Sequence, residues 1–333
     1  MAQRYGAGNR ILLTGGAGFV GSHLCDALLA RGAEVVVVDN FLTGSRANIA
    51  HLADEPRFTL VEADVIDGLP VTGRFDGVLH FASPASPTDF EKLAFEVMKV
   101  NSAGTFHCLE LAREQGARFV LASTSEAYGD PEVHPQPETY RGNVNPIGPR
   151  AVYDEAKRFA EAATAGYRRI HGVDTGIVRI FNTYGPRMRP DDGRAIPTFA
   201  SQALVGAPIT VHGTGGQTRS ICYVSDLVDG ILAMLDSDEP GPINLGSEHE
   251  LTMRELAETI VALAGSRSTI SFLPRPTDDP ELRRPDLTRA RELLGFAPSV
   301  SPAEGLRRTL EWFTAHAAET SATASTAASA SSA

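Results

Sequence analysis

Tyr153 and Lys157 stand four residues apart in NPIGPRAVYDEAK (145–157), and Thr124, Ser125 and Glu126 stand together in LASTSEAYGDP (121–131). Residues four apart on a helix share one face, so the spacing predicts the Lys157 ammonium close to the Tyr153 phenol. A free tyrosine ionises near pH 10, which leaves only about 0.1% phenolate at pH 7. A neighbouring positive charge favours the ionised form. A phenol shifted in that way can take a proton from a sugar or alcohol hydroxyl at neutral pH. Many helices carry such a pair by chance, and its weight here comes from what lies upstream.

Upstream lies a cradle for a dinucleotide. Arg10–Thr14 (RILLT) reads as a short buried strand, and a helical pattern runs from Ser22 to about Arg31. Between them Gly15, Gly18 and Gly21 give a G-x-x-G-x-x-G turn. Glycines at that spacing permit a tight turn, close approach of a pyrophosphate and close helix–strand packing, with the helix N-terminus facing the anion. A second strand, Glu34–Asp39 (EVVVVD), ends in Asp39, where a carboxylate accepts from the adenosine ribose hydroxyls. The same carboxylate would repel a 2′-phosphate, so the expected cofactor is NAD rather than NADP.

Further strands are expected at Arg57–Val61, Gly77–Phe81, Arg118–Ala122 and Asp174–Ile180, with helices at Phe90–Glu114 and Arg150–His171. Strands alternating with helices predict an α/β fold with a parallel, doubly wound sheet. After Ile180 the alternation weakens. A strand-like run at Gln217–Val224, a helix at Ser225–Leu235 and a short strand at Pro242–Leu245 remain, within a smaller α/β lobe that reaches about Ala315. The expected division is a Rossmann-type body, 1–182 plus about 217–246, and a substrate lobe, 183–216 plus about 247–316. Residues 317–333 are almost wholly Ala, Ser and Thr, and too poor in apolar bulk to order themselves by packing.

Arginines gather where a substrate anion would need them. Arg187, Arg189, Arg194, Arg219, Arg283 and Arg284 fall in Pro/Gly-rich or loop-like surroundings. Guanidinium forks bind phosphate bidentately, and FNTYGPR (181–187) follows a parallel strand, at the end where such sheets bind ligands. A diphosphate pocket is the favoured reading over solvated surface charge. Elsewhere the balance is acidic: a net charge of −11 over 333 residues argues against a nucleic-acid or anionic-membrane partner. No stretch of some 18 apolar residues suggests a membrane span, and Met1–Asn9 is too short and polar for a signal peptide. Cys25, Cys108 and Cys222 lie far apart in apolar elements and read as buried thiols of a reducing, cytoplasmic compartment. The histidines show no ligand spacing, so no metal is expected.

Taken together, GGAGFVGSHL, VVDNFLTG, ASPASP, LASTSEAYGDPEVHPQ, NPIGPRAVYDEAKR, IFNTYGPRM, GGQTRSICYVSDLVDG and DDPELRRPDL resemble the extended short-chain dehydrogenase/reductases, from about Arg10 to Phe313. Within that group the chain is most similar to the UDP-glucuronate decarboxylases. The resemblance implies that Gly15, Gly18, Phe19, Val20, Asp39, Asn40, Thr43 and Gly44 contact NAD. It extends that role to Asp64, Val65, Phe81, Ser83, Val100, Ala122, Thr183, Tyr153 and Lys157. It also implies a substrate set of Ser83, Thr124, Ser125, Glu126, Asn182, Arg187, Arg194, Arg219 and Arg283. Two departures, Ala127 where the family usually has Val and YRGNVN near Tyr140, remove no group the chemistry needs. Relatives in this group pair the helices equivalent to Phe90–Glu114 and Arg150–His171 into a dimeric four-helix bundle. Animal members carry a membrane anchor that this chain lacks, so it resembles the soluble forms.

What the resemblance implies chemically is a decarboxylation through a 4-keto sugar. Tyr153 would take the 4-hydroxyl proton with Lys157 behind it, Thr124 would help hold the oxygen, and Glu126 and Arg283 would act near C5 and C6. A 4,6-dehydratase would share the fold, Tyr153 and Lys157, but the family pattern puts an acid where this chain has Ser125. A 4-epimerase usually lacks the glutamate. A non-catalytic NAD sensor would have no use for Tyr153, Lys157 and Glu126 together.

Overall fold

The computed structural model describes residues 3–275 and 282–330. Its first half alternates strand and helix: β1 (Arg10–Thr14), α1 (Phe19–Ala30), β2 (Glu34–Asp39), β3 (Phe58–Glu62) and β4 (Gly77–His80). Then come α2 (Pro87–Lys92), α3 (Ala94–Lys99), α4 (Thr105–Gln115), β5 (Arg118–Thr124), α5 (Ala151–His171) and β6 (Thr175–Ile180). The strands form one parallel sheet of seven, ordered Ile243–Leu245, β6, β5, β4, β1, β2, β3. The chain winds outward from β1 to β3 and then crosses to β4, so a crevice opens between the carboxyl ends of β1 and β4.

Alternation along the strands sends successive side chains to opposite faces. Ile11, Leu13, Val35 and Val37 join a core with Leu24 and Leu28 of α1 and Ile231 of the helix Val224–Asp236. Leu12, Val36 and Val38 join the other, with Cys108 and Leu109 of α4 and Ala160 of α5. Both faces are covered, which is why EVVVVD reads as an unbroken apolar run. All three cysteines are free and buried.

Several elements depart from expectation. The single helix expected over 90–114 is α2, α3, a π turn at Val100–Gly104, and α4. Polar side chains there bond back into the helix: Ser102 Oγ donates to Met98 O and Thr105 Oγ1 to Asn101 O, contacts that loosen and bend a helical ladder. The strand expected over 217–224 is two pieces, Thr218–Ser220 and Cys222–Tyr223, facing different partners. The last helix runs from Pro302 through the Ala/Ser stretch to Ala330, where an unordered tail was expected. Alanine has the highest helix propensity, so that stretch can stay helical without apolar side chains to pack. Met1, Ala2, Ser331–Ala333 and the opening of DDPELRRPDL (278–281) lie outside the described residues.

Smaller sheets follow the main one. Ile209–His212 pairs in parallel with Ile270–Leu273. Thr218–Ser220 pairs with Glu250–Thr252 on one side and with Leu282–Arg283 on the other, which sets Arg219 opposite Arg283. Among the described residues no helix is long and apolar enough to cross a membrane.

Candidate active site

The glycine turn is built to leave its face bare. Gly15 has φ +75°, and a Cβ there would lie 2.7 Å from Ala82 N. A Cβ on Gly21 would lie 2.0 Å from the Gly15 carbonyl oxygen, so α1 packs on the turn only because that atom is missing. Gly18 caps α1 without a side-chain hydrogen bond to the first-turn N–H groups. Phe19, Val20 and Gly21 line a cleft of about 450 Å³, so those amides sit at its edge, an arrangement suited to a pyrophosphate. At the end of β2 the Asp39 carboxylate accepts from Ala17 N and Phe41 N, each at 2.8 Å. Burial raises its pKa above the ordinary carboxylate range, against those two bonds. Asp39 borders a smaller adjoining cavity of about 80 Å³ with Asn40, Thr43, Gly44, Asp64 and Val65. Phe81, Ser83 and Val100 close its other side. Every residue expected to hold a dinucleotide lines one cavity or the other, and the bare glycine face fits one.

At the far end of the cleft β5 delivers Thr124, whose Oγ1 accepts from Glu126 N at 3.2 Å and starts a 3₁₀ turn over Ser125–Tyr128. That cap fixes Thr124, Ser125 and Glu126 on the cleft wall, facing Tyr153 and Lys157 of α5. Phe90 of α2 stacks on Tyr153, ring centroids 4.6 Å apart and planes within 12°. Lys157 Nζ donates to Ala122 O at 2.9 Å and lies 5.8 Å from the Tyr153 ring centroid.

The pair shares a face as expected, but the expected electrostatics do not follow. Burial raises the Tyr153 pKa well above its ordinary value, and the Glu126 charge raises it further. A hydrogen bond with Thr124 and the charge of Arg194 oppose this without prevailing. Burial also lowers Lys157 to about 7, against the pull of Glu161. Desolvation exceeds the one-turn charge effect on which the sequence argument relied.

Glu126 is held by two guanidiniums. Burial would raise its pKa, but Arg283 and Arg150 hold it well below the ordinary range. Arg283 Nη1 donates to Oε1 at 3.0 Å, and Arg150 Nη2 donates to Oε2. Beside them the Asp154 carboxyl is pushed up by burial and by the Glu126 charge.

The other arginines divide. Arg219 and Arg283 meet in the cleft wall from adjacent strands, and Asn182 and Thr183 line it after β6. Arg194 lines it too, tied to Asp192 at 2.5 and 2.8 Å. Arg187 borders the cleft but pairs with Asp26 of α1 at 2.8 Å, and Arg189 pairs with Asp89 at 2.8 Å. Arg284 lies off the cleft, 3.5 Å from Glu250, because successive strand residues face opposite ways. Arg150 on the cleft wall, Phe90 stacked behind Tyr153 and Asp154 behind the wall were not foreseen. The one available signal was the position of Arg150 and Asp154 beside Tyr153.

Comparison with known proteins matches residues 11–246 to the model of the NAD dependent epimerase/dehydratase family. UDP-glucuronic acid decarboxylase 1 of Arabidopsis thaliana is 51% identical over 304 residues, 91% of this chain and 69% of that protein. Among solved structures, a dTDP-glucose 4,6-dehydratase of Streptomyces venezuelae with NAD bound is similar at TM-score 0.84 and 30% identity, over 92% of this chain and 97% of the other. UDP-glucuronic acid 4-epimerase of Bacillus cereus, in complex with UDP-glucuronic acid and NAD, is similar at TM-score 0.81 and 29% identity, over 92% and 99%.

Proposed function

The chain belongs to the NAD dependent epimerase/dehydratase family, and from that premise we propose that it decarboxylates UDP-glucuronate to UDP-xylose and carbon dioxide. The observation that carries this reading is the Glu126–Arg283–Arg150 cluster set against Tyr153 in the cleft wall, together with half-identity to decarboxylases over nine-tenths of the chain. What NAD supplies when bound is reversible hydride acceptance, so C4 of the sugar is oxidised and later reduced with no net consumption.

Tyr153 takes the proton of the 4-hydroxyl. The resulting 4-ketone lies β to the C6 carboxylate, so the electrons of the breaking C5–C6 bond pass into an enolate. Tyr153 and Thr124 hydroxyls donate toward its oxygen, which places donors where charge develops. Arg219 and Arg283 line the cleft, which supports their meeting the diphosphate and sugar, and Arg194 adds a cation near Tyr153. Ser125 stands where a dehydratase would need a general acid, and an unperturbed hydroxyl serves that role poorly.

Run in heavy water, UDP-glucuronate will give carbon dioxide and UDP-xylose carrying one solvent deuterium at C5, read by mass analysis and proton NMR. A hexuronate epimer formed without loss of carbon dioxide, or xylose without deuterium at C5, would remove the decarboxylase reading.

The division into a cofactor body (1–182 plus about 217–246) and a nucleotide-sugar lobe (183–216 plus about 247–316) is supported by the seven-stranded sheet and the separate small sheets. Thr218–Ser220 pairs within the small sheets and so joins the two. We also read the protein as a cytoplasmic homodimer. Phe95, Met98, Phe106 and Phe159 are exposed on α3, α4 and α5, and the last two meet edge to face at 5.8 Å. An apolar patch of that kind marks an interface. Sedimentation will give twice the chain mass, and Phe95→Glu with Phe159→Glu will return one chain mass. A wild-type monomer would refute the pairing.

A further inference from the structure

Behind the cleft lies a second cavity, of about 220 Å³. Arg150 and Arg283 border both spaces and form the wall between them. Glu126 faces the cleft side of that wall and Asp154 faces the far side. The two carboxyl groups thus flank the same pair of guanidiniums, one from each cavity. The outer rim of the far cavity is made by Asp130, Asn143 and Asn145, all exposed, so it meets solvent.

Both Glu126 oxygens already accept from guanidiniums, so Glu126 is the carboxylate. Asp154 is 6% exposed, and its Oδ1 has no donor among the described residues. A buried carboxyl oxygen without a donor is costly to ionise, which favours the neutral acid. The charged groups facing Asp154 agree: Glu126 favours its neutral form, and Arg150 and Arg283 oppose it without prevailing over burial. Tyr153 precedes it on α5, and Asp130 is the remaining acid of the cavity.

The proposed reaction leaves one proton unsupplied, the one that C5 takes up after carbon dioxide departs. We propose that Asp154 is the reserve for that proton, passing it through Glu126 to C5 and refilling from solvent through the far cavity. This rests on the decarboxylase reading. In the step the Asp154 O–H bond breaks and Glu126 takes up that proton, and the new Glu126 O–H bond then breaks as the enolate electron pair forms the C5–H bond. The 4-carbonyl is restored, and Asp154, left as carboxylate, takes a proton from water. No oxidant or reductant enters. Asp154 acts through Glu126 and does not itself touch the sugar.

Asp154→Asn separates proton supply from structure, because the amide keeps the size and polarity of the neutral acid but cannot release its proton. In the NAD-loaded full chain, first-turnover carbon dioxide release from UDP-glucuronate will stay within about threefold of wild type. UDP-xylose formation will fall roughly 10²-fold, the scale of a lost proton donor, and a 4-keto pentose nucleotide will escape. Asp154→Glu will restore xylose formation. In wild type the protonation step will weaken as pH rises through the Asp154 titration, and Asp154→Asn will lack that limb. Infrared difference spectra will show a carboxylic-acid carbonyl band in wild type that Asp154→Asn removes. Xylose formation by Asp154→Asn at the wild-type rate, a parallel fall in carbon dioxide release, or no acid band in wild type would each overturn the proposal while leaving the decarboxylase reading intact. Wild type that releases no carbon dioxide would overturn both.

Discussion

Tyr153→Phe will reduce turnover of UDP-glucuronate to at most about 1% of wild type while leaving nucleotide-sugar binding nearly unchanged. General acid–base catalysis contributes about 10²–10⁴-fold, and the phenol here is the proposed acceptor for the 4-hydroxyl proton as well as a donor to the enolate oxygen. The substitution deletes one oxygen. It retains the ring, so stacking on Phe90 at 4.6 Å persists and α5 keeps its place. Loss of the hydroxyl's polar interaction with Thr124 is at most a change of about 1 kcal/mol in stability, too small to unfold the chain. Single-turnover kinetics and titration calorimetry with UDP-glucuronate separate the two effects. More than a few per cent of the wild-type rate would show that another group takes the proton.

The raised Tyr153 pKa shows how far the site could be read before the fold was seen. The glycine turn and Asp39 were legible because both depend on local sterics and spacing: Gly15 and Gly21 lie within one turn of chain, and Asp39 ends the next strand. The shared face of Tyr153 and Lys157 was legible for the same reason. Its electrostatics were not, because burial comes from Phe90 on another element and the opposing charge comes from Glu126 on a third. Glu126 itself stood out, but its partners lie 24 and 157 positions away, and no periodicity connects them. Asp154 was hidden in plain view, since an acid on a helix reads as a solvated surface charge until the fold buries it. The broken helix over 87–115 was missed because the apolar pattern continues through it, while Ser102 and Thr105 alter the backbone through their own hydroxyls.

Glu126→Ala will lower UDP-xylose formation by about 10²-fold or more, and its cost in stability will depend on Asp154. Breaking a buried ion pair by removing one partner typically costs about 3–5 kcal/mol, because a charge is left buried without compensation. Here two guanidiniums, Arg150 and Arg283, would lose their shared carboxylate. Removing Glu126 also removes the charge that helps hold Asp154 neutral. Asp154 will then ionise and take over as counter-charge, so the single variant will lose less than that range. In the double variant Glu126→Ala, Asp154→Asn neither carboxylate remains, and the loss will exceed the sum of the two singles. Coupling of that sign is what a shared network gives in a double-mutant cycle. The pH dependence follows the depressed Glu126 pKa. Its contribution is fully present above the unfolded value near 4.5 and is lost as pH falls through the lower folded value. Wild type will therefore show an acid limb in its denaturant midpoint that Glu126→Ala lacks. Additive losses across the cycle, or an acid limb unchanged in Glu126→Ala, would mean that Glu126 and Asp154 do not share one charge network.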